Sequence, residues 1–258
     1  MFSLEIKTVQ GNAFKLLIEA LKDILGDVNL TFNKTGIKLI AMDSSHTVLV
    51  YLKLESTKFE IYKIDREYSL GVNMLQFFKL IKTIGNNDTL TLFLDKGNQG
   101  ELGIKIENSN KNSITTYRLK LLDLNEETIN VPPTTFNSII TLPASDFQKI
   151  CRDMNNLAEL LEIKSTANQL IFTCKGDFCT QETVLGEASA GLIFVENDNQ
   201  DDIIQGIFSL KHLVLFTKCT NLCPTIKMYI KNDYPIVIEY IVASLGIIKL
   251  CLAPKVED

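Results

Sequence analysis

The sequence has no cysteine before residue 151, only two histidines, and no excess of positive charge. Each shortage narrows the reading. The six cysteines are Cys151, Cys174, Cys179, Cys219, Cys223 and Cys251. The pairs 174/179 and 219/223 are loosely spaced and lack a histidine ligand nearby, so no structural metal and no cofactor is expected. A chain of 258 residues can bury a core without disulfide staples, so reduced thiols are expected. The N-terminus, MFSLEIKTVQ, lacks a charged segment followed by an apolar core, so no signal peptide is expected. The most apolar stretch, residues 235–254, is interrupted by Glu239 and Lys249 and carries Ala-Ser-Leu-Gly at 243–246. Charges are costly in lipid and such a tetrapeptide favours a turn, so it reads as a buried hairpin rather than a membrane span. The formal net charge is −5. A nucleic-acid partner would then require the cations to be gathered on one face.

What is present includes AMDSSHTVLV, residues 41–50, which sets Asp43, Ser44, Ser45 and His46 side by side. These are the residue types of a nucleophilic triad. A triad, however, needs three side chains converging on one point, and neighbours on an extended chain face opposite ways. No G-x-S-x-G elbow exposes a serine, and His212 is the only other histidine. The run reads as a turn opening a strand, and the chain is not expected to be an enzyme.

Four stretches have the period of amphipathic helices. They are residues 11–26 with Asn12 as expected cap, 71–85 with Asn73 and Gln76 as a capping box, 142–157 with Ser145 and Gln148 as a second box, and 208–222 with Ser209 as cap. Between them lie β-type runs such as TVLVYLKL, DTLTLFL, GIKIE and TIKMYI. Strands dominate, which predicts an α+β fold.

The helices share a register. Residues 17–22, 77–82, 147–152 and 213–218 each begin with an apolar residue, place another three later, and end on a base: Lys22, Lys82, Arg152 or Lys218. Five residues turn a helix by about 140° beyond a full turn, so each base leaves the apolar stripe alike. Lys15, Lys79 and Lys149 lie on the same outer side, although Glu19, Asp23 and Asp153 dilute the positive charge. The first and second registers start 60 residues apart, and the third and fourth 66 apart. This predicts two similar halves. Between them, residues 119–136 are acidic, lack a helical period, and contain Pro132–Pro133. They read as an extended linker.

VQG at 9–11, EALKD at 19–23, MDSSH at 42–46, DREYSLGVN at 65–73, KLLDLNEETINVP at 120–132, FQKICRDM at 147–154 and LAPKVED at 252–258 occur in that order. With these motifs the whole chain resembles the proliferating cell nuclear antigen (PCNA) family of eukaryotic-type DNA sliding clamps. The resemblance implies a DNA-clamp fold with two similar domains per chain, at 1–118 and 137–258, joined by an interdomain connecting loop at 119–136. It implies outer antiparallel sheets, inner helices, and a homotrimeric ring around double-stranded DNA, held without sequence preference. Lys15, Lys22, Lys79, Lys82, Lys149, Arg152 and Lys218 would face the DNA.

The resemblance also recasts MDSSH as part of a front-face pocket made by Met42, His46, Leu49, Ile129, Val131, Pro132, Pro235, Ala253 and Pro254. Its guests would be DNA polymerase, a clamp loader and other proteins with Q-x-x-Φ-x-x-aromatic-aromatic motifs. The function implied is a processivity factor in the nucleus or in a viral replication compartment, with no membrane partner. A subunit of a heterotrimeric checkpoint-type clamp and a monomeric viral processivity factor are the alternatives. The sequence departs from the family at Thr47, where an apolar residue is usual, at Cys251, where an aromatic is usual, and at Ala167, where many members carry a lysine modified by ubiquitin or SUMO.

Overall fold

The structure, a computed structural model, describes residues 2–125, 129–131, 133–197 and 204–255. The chain divides into two compact units. Unit 1 holds residues 1–44, 50–129 and 241–248; unit 2 holds 45–49, 130–240 and 249–258.

The first half runs β1 (Phe2–Thr8), α1 (Gly11–Leu21), β2 (Asp27–Asn33), β3 (Gly36–Met42), β4 (Val48–Glu55), β5 (Ile61–Ile64), β6 (Tyr68–Asn73), α2 (Met74–Ile81), β7 (Asp88–Asp95), β8 (Asn98–Asn108) and β9 (Ser113–Lys120). The second half runs β10 (Ser138–Pro143), α3 (Ala144–Asn155), β11 (Leu160–Ser165), β12 (Gln169–Lys175), β13 (Thr180–Gly186), β14 (Ile193–Asn197), β15 (Ile204–Ser209), α4 (Leu210–Phe216), β16 (Thr225–Ile230), β17 (Ile236–Val242) and β18 (Gly246–Leu252). The fold is α+β, as the sequence implies.

The two element series repeat one plan. One sheet in the first half has the strand order β5-β1-β7-β8-β9, and the second half contains the run β14-β10-β16-β17-β18. The first half also contains β4-β3-β2-β6, and the second the sheet β13-β12-β11-β15. Substituting β10 for β1 and continuing in chain order converts each list into the other. Alternation along the strands explains the layering. In β4, Val48, Val50, Leu52 and Leu54 point inward while their neighbours are partly exposed; β12 does the same with Leu170, Phe172 and Cys174.

The helices close the cores. In unit 1, α1 buries Phe14, Leu17, Ile18 and Leu21, α2 buries Met74, Phe77 and Ile81, and the Phe14 and Phe77 rings meet edge-on at 6.1 Å. In unit 2, α3 buries Phe147, Ile150, Cys151 and Met154, α4 buries Leu210, Leu213 and Phe216, and Phe147 reaches Phe172 at 6.4 Å. Each such side chain stabilises its core by roughly 1.5–3 kcal/mol relative to exposure.

Helix starts follow the sequence in one case and depart from it in others. Asn73 caps α2, accepting from the Gln76 amide at 2.9 Å. Asn12 is not a cap; it lies inside α1, which starts at Gly11 after Gln10. Ser145 is the second residue of α3 and makes no cap bond; Gln148, its expected partner, donates to the Thr217 carbonyl at 3.0 Å, and the first amide of the helix, that of Ala144, donates to the Pro224 carbonyl at 2.9 Å. Ser209 holds the cap position of α4, but its side chain makes no cap bond; the Leu210 amide finds the Glu159 carbonyl at 2.9 Å. A backbone acceptor from another element does the job of a side-chain cap. The 243–246 stretch is the expected turn, with Leu245 donating to Val242 at 2.9 Å and Ala243 at φ 48.

Candidate functional site

Counting from each helix start aligns the four helices. The fourth helical residue is Phe14, Phe77, Phe147 or Leu213, and all four are buried. The ninth residue is Lys82, Arg152 or Lys218 in the chain reaching from α2, α3 and α4, and each is exposed. In α1 the ninth residue is Glu19, and Lys22 lies three residues further on. The sequence register therefore holds in three helices and is shifted by three residues in α1. That offset exceeds the usual uncertainty of a helix boundary.

The sixth residue adds Lys79 and Lys149, also exposed. Among the described residues Lys79, Lys82, Lys149 and Arg152 enter no ion pair. Two lysines are engaged differently. Lys15 donates to the Ile84 carbonyl at 2.7 Å. Lys22 pairs with Asp23 at 3.0 Å and stands 5.1 Å from the centre of the Phe78 ring. Sequence reading missed Lys211, an exposed residue on the first turn of α4. Its signal was its place seven residues before Lys218, the spacing that also relates Lys15 to Lys22.

The second set of residues surrounds the 41–50 run. His46 sits at φ 54, exposed, in the turn between β3 and β4. Among the described residues it has no hydrogen bond to Ser44 or Ser45; Ser45 instead donates to the Thr47 hydroxyl at 3.0 Å. No base addresses a nucleophile there. Leu49 is half-buried on β4, and the Thr47 carbonyl accepts from the Ala253 amide at 3.2 Å. That bond brings the 46–49 stretch beside Ala253 and Pro254, both half-buried just after β18.

Val131 is exposed and Pro235 half-buried. Thr134 and Tyr234, close neighbours of these two, share a hydroxyl–hydroxyl bond of 2.7 Å. The Phe136 ring packs 5.3 Å from Tyr229 and 5.8 Å from Tyr234. This aromatic trio, which sequence reading also missed, holds the chain after Val131 against the turn carrying Pro235. Met42, exposed at the end of β3, and Ile129, half-buried, belong to unit 1. Pro132 lies outside the described residues. Cys251 is half-buried on β18, and its thiol is pushed up to about 11 by burial, partly offset by the Lys249 charge. It is a protonated, poorly nucleophilic thiol at neutral pH.

Among the described residues no group of histidine, cysteine or acidic side chains is arranged to hold a metal ion, and no helix is long and apolar enough to cross a membrane.

Two family models match the chain end to end: "Proliferating cell nuclear antigen, N-terminal domain" over residues 2–128 and "Proliferating cell nuclear antigen, C-terminal domain" over residues 130–255. The chain is 38% identical over 253 residues to a protein of Paramecium bursaria Chlorella virus 1 named "Probable DNA polymerase sliding clamp 1", covering 96% of this chain and 95% of that one. The repeated sheet order, the paired helices with outward bases, and these matches over both halves agree: the chain belongs to the proliferating cell nuclear antigen family, the DNA sliding clamps, and carries both of the family's domains.

Proposed function

We propose that the protein is a DNA polymerase processivity factor, a homotrimeric ring that encircles duplex DNA and tethers replication proteins through a front-face peptide pocket. Domains at 1–118 and 137–258, with 119–136 as connecting loop, would repeat around the ring. The observation that carries the reading is the family membership of both halves joined to a specific charge arrangement. A chain of net charge −5 presents exposed bases at matched positions on α2, α3 and α4. Lys15, Lys22, Lys79, Lys82, Lys149, Arg152 and Lys218, joined by Lys211, would meet phosphates, giving weak, salt-sensitive contacts without sequence preference. Loose contacts permit sliding, and enclosure rather than affinity retains the ring. Tethering raises the local concentration of a bound polymerase at the primer end. No covalent step is involved.

The repeat supports ring closure. In unit 1 the Glu55 amide of β4 donates to the Leu245 carbonyl at 2.8 Å, so residues of the 241–248 segment cover that strand's edge. β13, the counterpart of β4, ends its sheet; β9, the counterpart of β18, ends another. Phe178 just before β13 is 79% exposed, and Ile114 in β9 is 65% exposed. Uncovered strand edges with apolar residues invite pairing, and β9 of one copy can supply to β13 of the next what 241–248 supply to β4. Such a head-to-tail contact generates a closed ring when its rotation closes.

His46, Leu49, Val131, Pro235, Ala253 and Pro254, with Met42, Ile129 and Pro132, would form the pocket for a Q-x-x-Φ-x-x-aromatic-aromatic peptide. A clamp loader would be needed to open the ring. The compartment would be the nucleus or a viral replication site. The deciding experiment compares polymerase processivity on primed circular DNA and on linear DNA with free ends, with particle mass measured in parallel. A particle of about three times 29.0 kDa and stimulation restricted to circular or end-blocked templates is expected. A monomer that stimulates both templates equally would favour the monomeric viral factor instead.

A further inference from the structure

We propose that copies of this chain join in one fixed strand register, in which Arg118 of one copy is received between Phe178 and Glu182 of the next. The inference rests on the ring reading and deepens it to a particular pair of side chains.

The chain carries its own template for the joint. β4 and β18 are neighbours in one sheet, and two bonds fix how they run. The Glu55 amide donates to the Leu245 carbonyl at 2.8 Å, and the Ala253 amide donates to the Thr47 carbonyl at 3.2 Å. From Thr47 to Glu55 one strand advances by the same number of residues as the other retreats from Ala253 to Leu245, as antiparallel pairing does. β13 and β9, the counterparts of β4 and β18, each end a sheet.

Two pairs of backbone bonds align β9 with β18. Just before β9 the Asn112 amide donates to Ser109 at 3.4 Å, as the Leu245 amide donates to Val242 at 2.9 Å just before β18. Beyond the strands, the Leu122 amide donates to Gly71, the fourth residue of β6, and the Lys255 amide donates to Ile207, the fourth residue of β15. The last inward side chains, Leu185 and Leu54, align β13 with β4. Leu185 pairs with Leu170, and the Ser56 amide, bonded to the Thr35 carbonyl at 3.0 Å, sets Leu54 beside Ile37 in the same way. Transferred to two copies, the register sets Val184 opposite Ile114 and Thr180 opposite Arg118, with Phe178 and Glu182 on the diagonals of Arg118.

The side chains suit this register, although backbone bonds and inward positions alone define it. Ile114 and Val184 are both exposed, and each covers the other. A slip of two residues sets Val184 against Thr116 or Asn112 instead. In its own copy the Arg118 guanidinium lies 5.7 Å from the centre of the Phe93 ring and pairs with Asp95 at 2.8 Å, leaving the side chain 47% exposed. Gly103 stands between Phe93 and Arg118 across the sheet, and an added Cβ there would meet the Phe93 ring at 2.3 Å. The ring therefore lies over the glycine to reach the guanidinium, backed by Phe2 at 4.7 Å. Phe178 of the next copy, itself largely exposed, brings a second ring to the planar cation, and Glu182 brings the opposite charge.

The test follows the particle mass of the full-length protein on dilution. Phe178→Ala and Arg118→Ala should each raise the concentration of half-dissociation by roughly two- to thirtyfold, the range of a cation–aromatic contact. The double variant should lose less than the product of the two, because the residues act on each other. Ile114→Lys should also weaken the trimer, and adding Val184→Glu should recover most of the loss. Thermal unfolding of each variant checks that the chain still folds. Independent effects of Phe178→Ala and Arg118→Ala would overturn the contact, and failure of Val184→Glu to rescue Ile114→Lys would overturn the register. A native trimer indifferent to Phe178→Ala would sink the contact and leave the ring intact. A native particle of 29.0 kDa at every concentration would remove the ring reading and the joint with it.

Discussion

Tyr229 donates its phenolic hydrogen to the Glu239 carboxylate at 3.0 Å, and Lys249 pairs with the same oxygen at 3.2 Å. Burial, then the negative charge of Glu239, pushes the Tyr229 phenol well above its ordinary value of 10.0. The folded protein consequently holds this proton where the unfolded chain releases it. The stabilisation is complete below pH about 10 and is lost as pH rises through the folded-state value. Tyr62 and Tyr240 are shifted the same way, chiefly by burial. Thermal stability should therefore decline above pH about 10. Tyr229→Phe should show a shallower decline than the unaltered protein, and parallel curves would contradict the linkage.

The left-handed backbone at His46 separates its structural role from its binding role. At φ 54 a glycine fits without strain, so His46→Gly should change stability by no more than about 0.5 kcal/mol. The same substitution should weaken binding of a Q-x-x-Φ-x-x-aromatic-aromatic peptide several-fold, measured by fluorescence anisotropy. Unchanged peptide affinity would take His46 out of the pocket.

Tyr234→Phe removes the bond to Thr134 and leaves the ring edge-on to Phe136. A neutral hydrogen bond contributes about 1 kcal/mol, so peptide affinity should fall by up to roughly tenfold if the bond orders the pocket rim. Hydrogen exchange at residues 134–136 should rise in parallel. Faster exchange without weaker binding would assign the bond to the loop alone.

Gly71 lies against the start of the connecting segment. The Leu122 amide donates to its carbonyl at 2.8 Å, and an added Cβ would stand 2.2 Å from the Leu122 oxygen. Gly71→Ala must push that segment away and should destabilise unit 1 by about 1–3 kcal/mol. Denaturant unfolding reads the loss, and a variant as stable as the parent would show that the segment moves freely.

Proline at Thr116 in β9 or Val184 in β13 removes an edge amide and should yield chains of 29.0 kDa that no longer confer processivity. Light scattering gives the mass. Intact trimers from both variants would mean that these edges do not join the subunits.

The elements that follow from local pattern were legible in the sequence. β-type composition announced β4, β7, β8 and β16, and the Asn73–Gln76 spacing announced the start of α2. What was not legible came from atoms distant in sequence. Ser145 fits a capping motif, yet the amide ahead of it is taken by Pro224, 80 residues away. Lys15 looks like any outward lysine until folding brings the Ile84 carbonyl within reach of its ammonium. The shared register of four bases follows from apolar spacing alone, and only the helix starts reveal that α1 runs one turn out of step. The aromatic trio of Phe136, Tyr229 and Tyr234 comes from separate stretches whose approach depends on tertiary folding.

The edge of β4 is completed by residues near 245, almost two hundred positions later in the chain. During synthesis, therefore, the first unit emerges from the ribosome with that edge bare, and it stays bare until translation is nearly finished. A nascent chain in this state is a template for mispairing with its neighbours on the same message, so premature termination near the C-terminus should yield aggregation rather than a functional half-molecule.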